Sequence, residues 1–150
     1  MIPKKRPSAI KRAIRKLTFD SGHRLKDHEG KCAFLHGHTY RVHLVAQGEL
    51  DSIGRVIDFG LLKSLFQTWI NTMWDHGFIL NEADEEGQRA MVQIKGQKVF
   101  LLPYNPSAEN IALYLLEVVG PDLLEGTGVR LVKVIVQETE NCTAEAEVYV

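Results

Sequence analysis

The stretch that decides the fold class is residues 38–48, which read HTYRVHLVAQG. Its apolar side chains alternate with mostly polar ones, a pattern typical of a strand that buries one face. Residues 131–137 and 145–150 alternate in the same way and predict two more strands. Residues 10–19 fit either a helix or a strand, and periodicity alone does not choose between them.

Two helices are predicted between the second strand and the third. Residues 59–73 carry apolar side chains at helical spacing, and Asp58 is a suitable N-cap. A second helix begins at Asn105-Pro106-Ser107, and Gly120-Pro121 is expected to end it. Between these helices, residues 82–98 predict a loop, with a hairpin ending in residues 99–102 as an alternative. Strands and helices in separate runs favour an α+β fold with an antiparallel sheet.

The chain of 150 residues predicts one domain, residues 1–150, with residues 1–9 as a flexible basic lead-in. Seven of the 18 basic residues and none of the 19 acidic ones lie in residues 1–19. Such an arm fits a solvated start, a nucleic-acid or membrane contact, or a transit peptide. Two cysteines are too few for a disulfide framework, so we expect a reducing, cytoplasmic setting. No apolar run is long enough to cross a membrane.

Three histidines lie close together near the N-terminus, at His23, His36 and His38. Residues two apart on a strand point to the same face, and Gly37 between the last two leaves room for close approach. Neutral imidazoles are common zinc ligands, and three of them leave the open position that catalysis needs. The alternative reading of His38 is a buried, hydrogen-bonded core histidine.

Cysteine and carboxylate side chains near these histidines extend the candidate site. Cys32 has three readings: a fourth zinc ligand, an acid–base or nucleophilic group, or an inert thiol. Asp75 and His76 form an adjacent acid–imidazole pair, or else His76 merely caps a helix C-terminus. Glu138, at a strand end, suits a guanidine-like ring edge, although a solvated carboxylate is the simpler reading.

Six strings in order carry a family resemblance over about residues 14–150. The chain resembles the 6-pyruvoyl-tetrahydropterin synthase / 6-carboxytetrahydropterin synthase family. The strings are Phe19-Asp20-Ser21-Gly22-His23-Arg24-Leu25, the block 32–38, Val56-Ile57-Asp58-Phe59-Gly60, Asp75-His76 with Leu80-Asn81, Asn105-Pro106-Ser107-Ala108-Glu109-Asn110, and Gln137-Glu138-Thr139. The resemblance implies the tunnelling (T) fold, a four-stranded antiparallel sheet with two helices inserted between strands 2 and 3. It also implies a homohexamer, a dimer of trimers, with sites at subunit interfaces.

The resemblance also implies roles for particular residues. His23, His36 and His38 would bind one Zn²⁺ per subunit, and Cys32, Asp75 and His76 would form the acid–base group. Glu138 would anchor the pterin edge, with Ser107 and Glu109 as further substrate-binding residues. Arg24 is a candidate contact for a triphosphate. Ser107 stands where the family commonly has threonine, and the 82–104 loop is longer than in short bacterial members.

The substrate implied by the resemblance is 7,8-dihydroneopterin triphosphate. Three residues separate Cys32 from His36, a spacing that resembles the 6-carboxytetrahydropterin synthases of the queuosine pathway, which release acetaldehyde. The alternative is 6-pyruvoyl-tetrahydropterin synthesis, which eliminates triphosphate and keeps the carbon chain. A more distant alternative is a non-catalytic module with a closed zinc site that binds nucleic acid, although no nucleic-acid motif is present and no such partner is expected.

Overall fold

The computed structural model describes residues 9–149, so most of the basic lead-in, residues 1–8, lies outside the described residues. The ambiguous N-terminal segment is a strand, β1 (Arg12–His23). It pairs antiparallel with β2 (His36–Gln47) along its whole length, from Arg12 opposite Gln47 to His23 opposite His36. The tertiary pairing therefore selects the strand where periodicity left a helix equally open.

Four antiparallel strands form the main part of the sheet, as the sequence predicts. The alternation in β2 is confirmed, because Tyr40, Val42, Leu44 and Ala46 are fully buried. β5 (Arg130–Thr139) pairs with the other edge of β2, and β6 (Cys142–Glu147) pairs with β5.

The expectation of a four-stranded, purely antiparallel sheet is wrong, because the sheet has six strands. β3 (Gly77–Asn81) and β4 (Val99–Leu102) extend it parallel to β1, giving the order β4-β3-β1-β2-β5-β6. The predicted loop contains α2 (Glu85–Met91), which connects these two strands. β3 has only five residues, and a short apolar run after a helix has no periodicity that marks it as a strand.

Helices cover one face of the sheet. The helix α1 (Phe59–Met73) has the predicted bounds, and the Asp58 side chain caps it by accepting a hydrogen bond from the Leu61 amide at 3.0 Å. α3 (Ala108–Tyr114) begins after Ser107, whose hydroxyl accepts from the Asn110 amide at 3.2 Å. Between these helices and the sheet lies the core, which includes Phe66, Trp74 and Ile111.

The predicted end of the second helix is wrong. Helical backbone continues from α3 through a π-helical turn, Leu115–Val119, into α4 (Gly120–Leu123). Pro121 lies in the first turn of α4. Proline is tolerated at such a position because the N–H that it lacks is not needed there. Within residues 9–149, no helix has both the length and the apolar character needed to cross a membrane.

Candidate active site

Three histidines meet where β1 ends and β2 begins. His23 pairs directly with His36, and His38 lies opposite Ser21. His36 and His38 share a strand face with the buried Tyr40, because side chains two apart point the same way. One ring nitrogen from each of the three histidines lies within 4.8 Å of the others.

Backbone carbonyls orient two of these rings. His23 Nδ1 lies 2.7 Å from the Pro106 oxygen, and His36 Nδ1 lies 2.7 Å from the Phe34 oxygen. A carbonyl oxygen only accepts, so each Nδ1 carries the proton and each neutral ring presents an Nε2 lone pair. The two Nε2 atoms are 3.1 Å apart, with lone pairs facing each other.

The third ring also offers a free lone pair. His38 Nε2 is buried and has no hydrogen-bond partner among the described residues. Burial lowers the pKa of His38, the neighbouring histidines lower it further, and Glu138 opposes them, so the ring favours its neutral form. Histidines that ligate zinc commonly donate their other ring nitrogen to a carbonyl or carboxylate. The three side chains therefore fit a zinc ion, because the converging ring nitrogens need a cation between them, either a metal ion or a proton.

Glu138 adds negative charge to this cluster. Its Oε1 lies 3.2 Å from His23 Nε2 and 3.5 Å from His38 Nε2. When no metal is bound, a proton on His23 Nε2 is donated to Glu138, and this hydrogen bond lowers the pKa of Glu138 although burial opposes it. Glu138 is thus ionised beside the metal ligands and is not a solvated strand end.

Tyr40 and Cys32 lie close to the histidine cluster. The Tyr40 ring stacks on Phe19 with centroids 4.9 Å apart, and its buried hydroxyl has no hydrogen-bond partner within residues 9–149. Burial and the charges of Glu138 and Cys32 raise the pKa of Tyr40 far above its usual range. Cys32 is half-buried in a single 3₁₀ turn, Lys31–Ala33, and does not belong to the group of converging metal ligands.

The acid–imidazole pair forms between α1 and β3. Asp75 Oδ2 lies 2.8 Å from His76 Nδ1, and Asp75 Oδ1 accepts from the Asp20 amide at 2.9 Å. Burial would raise the pKa of Asp75, but these two hydrogen bonds hold it below the usual range. His76 adopts a positive φ of 58°, and its amide donates to the Asp20 carbonyl at 2.7 Å. This contact with β1 stabilises a backbone conformation that non-glycine residues rarely adopt.

The acid–imidazole pair and Cys32 are not bonded to each other in the described part of the chain, where no hydrogen bond or ion pair joins Cys32 to Asp75 or His76. Asp20, which holds the pair, points to the face of β1 opposite His23. A cleft of about 460 Å³ opens beside His76. It is lined by Asp20, Gly22, Thr39 and Phe78, and by an edge of His38.

The remaining sequence candidates occupy different positions. Ser107 caps α3, and Glu109 is exposed in the first turn of that helix. Arg24 is paired with the buried Asp84 through two hydrogen bonds of 2.6 Å and 2.5 Å. Arg24 is therefore engaged in an ion pair with Asp84, and its contact with a triphosphate stays a prediction.

Sequence reasoning gave no role to Tyr40 or Asn105, although both support the cluster. Tyr40 carried a usable signal, because it shares the strand face of His38 at a spacing of two. Asn105 appears in the sequence only as the start of the second helix and of one family string, because its partner Lys26 lies 79 positions away.

A mixed sheet with four antiparallel main strands, helices on one face and a three-histidine cluster at the end of β1 defines a T-fold enzyme domain with a candidate zinc site. Residues 13–148 match the family model described as 6-pyruvoyl tetrahydropterin synthase. The chain therefore belongs to the 6-pyruvoyl tetrahydropterin synthase family, which confirms the resemblance.

Individual relatives agree with this assignment. A Rickettsia bellii protein named 6-carboxy-5,6,7,8-tetrahydropterin synthase is 39% identical over 135 residues, which cover 89% of this chain and 98% of that one. A Haemophilus influenzae protein of the same name is 38% identical over 67% of this chain and 76% of its own. Caenorhabditis elegans 6-pyruvoyl tetrahydropterin synthase has the same fold, with a TM-score of 0.67 at 22% identity, covering 94% of this chain and 97% of that one.

Proposed function

We propose that this protein is a zinc-dependent lyase that converts 7,8-dihydroneopterin triphosphate to 6-carboxy-5,6,7,8-tetrahydropterin, releasing acetaldehyde and triphosphate. The observation that carries the proposal is the convergence of one ring nitrogen from each of three imidazoles. The names of the bacterial relatives support this product. We place the reaction in 7-deazapurine (queuosine) biosynthesis in the cytoplasm, and we take residues 1–150 as one domain.

His23, His36 and His38 would hold one zinc ion per subunit. When bound there, the ion would supply Lewis acidity toward the side-chain hydroxyls and the negative charge that develops beside them. The carbonyls of Pro106 and Phe34 fix the two ring tautomers that ligation requires.

Proton transfer falls to Cys32 and His76 in this proposal. The Cys32 thiolate removes a proton from the substrate side chain, and His76 Nε2 returns one, because Nδ1 is held by Asp75. Glu138 accepts hydrogen bonds from the 2-amino and N3–H groups of the pterin, next to the metal ligands. Ser107 and Glu109 complete the substrate contacts from the start of α3.

A complete acid–base group requires two copies of the chain. His76 is 78% exposed and makes no bond to Cys32 within residues 9–149, so its imidazole is open to a site formed by another subunit. The proposal takes the homohexamer that the resemblance implies, a dimer of trimers with each site at a subunit interface. A closed symmetric oligomer would supply every site with the same pair.

The test incubates the purified protein with 7,8-dihydroneopterin triphosphate and zinc, followed by mass analysis of the pterin and an acetaldehyde assay. A carboxy-pterin with stoichiometric acetaldehyde is the expected result. A pyruvoyl-pterin without acetaldehyde would assign the protein to 6-pyruvoyl tetrahydropterin synthesis, the activity in the family description.

A variant separates the catalytic role of Cys32 from a structural one. Cys32→Ala should keep its zinc and lose turnover, because Cys32 lies outside the converging ligands. Loss of zinc from this variant, together with salt-dependent binding of nucleic acid, would favour the closed-site binding module instead.

A further inference from the structure

Asn105, in the segment between β4 and α3, makes an unusual set of long-range side-chain contacts. Its Oδ1 accepts hydrogen bonds from the Lys26 amide and from Asn81 Nδ2, each at 3.0 Å. Its Nδ2 donates to the Lys26 carbonyl at 3.0 Å. The amide therefore pairs with both backbone groups of a residue 79 positions away, as a neighbouring strand would.

Asn105 is connected through its neighbour Pro106 to His23, one of the proposed metal ligands. Pro106 directly follows Asn105, and its carbonyl receives the Nδ1 proton of His23 at 2.7 Å. The Asn105 main chain is fixed as well, because Asn110 Nδ2 donates to the Asn105 carbonyl at 2.9 Å. The position of Asn105 thus determines where the oxygen that orients His23 lies.

Asn105 is also connected, through Lys26 and Leu25, to Cys32. Lys26 follows Leu25, whose amide donates to the Cys32 carbonyl at 2.7 Å. Lys26 and Cys32 both belong to the segment that connects β1 to β2, which has only one 3₁₀ turn of regular structure. An irregular connection of this kind needs outside partners for its backbone groups, and Asn105 supplies two of them.

We propose that Asn105 is a positioning residue that fixes the His23 imidazole and the segment containing Cys32 relative to each other. The inference rests on the proposed function for the roles of these two residues. Asparagine suits the position because it donates and accepts at once. Aspartate would place an acceptor against the Lys26 carbonyl and lose that bond.

The experiment compares wild type with Asn105→Ala and Asn105→Asp, and uses Asn71→Ala as the matched control. The Asn71 side chain accepts from Gln67 on the surface of α1 and has no hydrogen bond to the site within residues 9–149, and its backbone carbonyl, which accepts from Lys98, is kept by the alanine variant. The rate at which iodoacetamide alkylates Cys32 in metal-free protein reports the position of the Cys32 segment. Peptide mass analysis resolves the two cysteines, and the exposed Cys142 is the internal reference. The ¹⁵N shifts of the His23 ring report its tautomer and so show whether the ring is still oriented by the Pro106 carbonyl. Zinc affinity is measured by competition.

Both Asn105 variants should raise the Cys32 alkylation rate by roughly tenfold through local opening and leave Cys142 unchanged. The His23 ring should lose its single tautomer, and zinc affinity should fall by about 10–100-fold. The conservative Asn105→Asp keeps the size of the side chain, so it decides the question if Asn105→Ala does not fold.

Three results would overturn the inference. A lower melting temperature with unchanged alkylation and tautomer would make Asn105 a purely structural residue. A change in only the Cys32 alkylation rate or only the His23 tautomer would show that Asn105 does not fix the two groups together. An equal response of Asn71→Ala would show that the effect is unspecific. A wild-type protein that binds no zinc would contradict the proposed function instead, while the two metal-free readings would still decide the role of Asn105.

Discussion

The two histidine sites of this chain differ in how much of their surroundings the chain itself supplies. The His23 ring is 1% exposed, with Nδ1 bound to a carbonyl and Nε2 facing two other side chains. The His76 ring is 78% exposed, with Nδ1 held by Asp75 and the rest of the ring open. One chain therefore completes the metal-binding end of the site but only presents the acid–base pair outward. On the proposal that His76 serves a neighbouring subunit, folding completes the first site and subunit association completes the second.

The largest expected effect breaks the metal-binding end. His38→Ala should reduce zinc affinity by at least about 100-fold, because it removes one of three ligands and leaves two that bind weakly. Metal analysis after gel filtration measures the zinc content, and the turnover should fall with it.

The matched control for this variant is His43→Ala. His43 lies on the same strand but on the opposite face, where burial lowers its pKa and Lys16 adds to the effect. This variant should keep its zinc. Equal zinc loss from both variants would contradict the assignment of the cluster.

Mixing two inactive variants tests the other half of the comparison. Cys32→Ala and His76→Ala should each lose about 100-fold or more in rate, as expected for a lost general acid or base. If the pair serves a neighbouring subunit, co-refolding equal amounts should restore activity to about a quarter of the sites, since random assembly combines one intact Cys32 with one intact His76.

Co-refolding of Cys32→Ala with Asp75→Asn is a second version of the same test. Asp75 belongs to the same pair as His76, so it should complement equally well. A mixture that stays as inactive as its components would show that each chain uses its own pair, and the contrast drawn between the two regions would disappear.

The sequence predicted those features that depend on neighbours in the chain. The Asp58 cap, the bounds of α1 and the alternation in β2 are local, so periodicity and capping rules were sufficient. The convergence of the three histidines was also predictable in part, because His36 and His38 share one strand face at a spacing of two.

The features that the sequence missed depend on residues distant in the chain. β1 is a strand because β2 pairs with it, and β3 is one because it lies parallel beside β1. The hydrogen bonds of Arg24 with Asp84 join residues 60 positions apart, and no local pattern indicates such a pair. Tertiary contacts of this kind override or add to local propensity.

A smaller effect is expected where the metal-binding end is tied to α2. Asp84 is 1% exposed and paired with Arg24, the residue after His23, so Asp84→Asn leaves a partly buried guanidinium without its carboxylate. The free energy of unfolding should fall by about 2–4 kcal/mol. Asp51→Asn, which removes an exposed partner of Arg55, should leave the stability nearly unchanged.

The pH dependence of this pair has a defined sign. The hydrogen bonds from Arg24 lower the pKa of Asp84, with burial opposing them, so the folded-state value lies below the unfolded value of about 3.9. The stabilisation is therefore fully present above the unfolded pKa and is lost as pH falls through the folded pKa. Urea unfolding from pH 7 down to pH 3 should show the difference between wild type and Asp84→Asn shrinking below about pH 4. A difference that grew on acidification would contradict this account of the pair.

The smallest expected effect concerns the Tyr40 hydroxyl, which the metal-binding end buries without a partner. Tyr40→Phe keeps the ring stacked on Phe19 and removes a desolvated polar group. Losing a hydroxyl that makes no hydrogen bond should leave the unfolding free energy of metal-free protein unchanged or raise it by up to about 1 kcal/mol, whereas losing a bonded one would lower it. Denaturant unfolding with and without zinc measures both states. A clear loss of stability in the metal-free protein would mean that the hydroxyl has a partner there, and that this end of the site is adapted to its own folding rather than to a ligand.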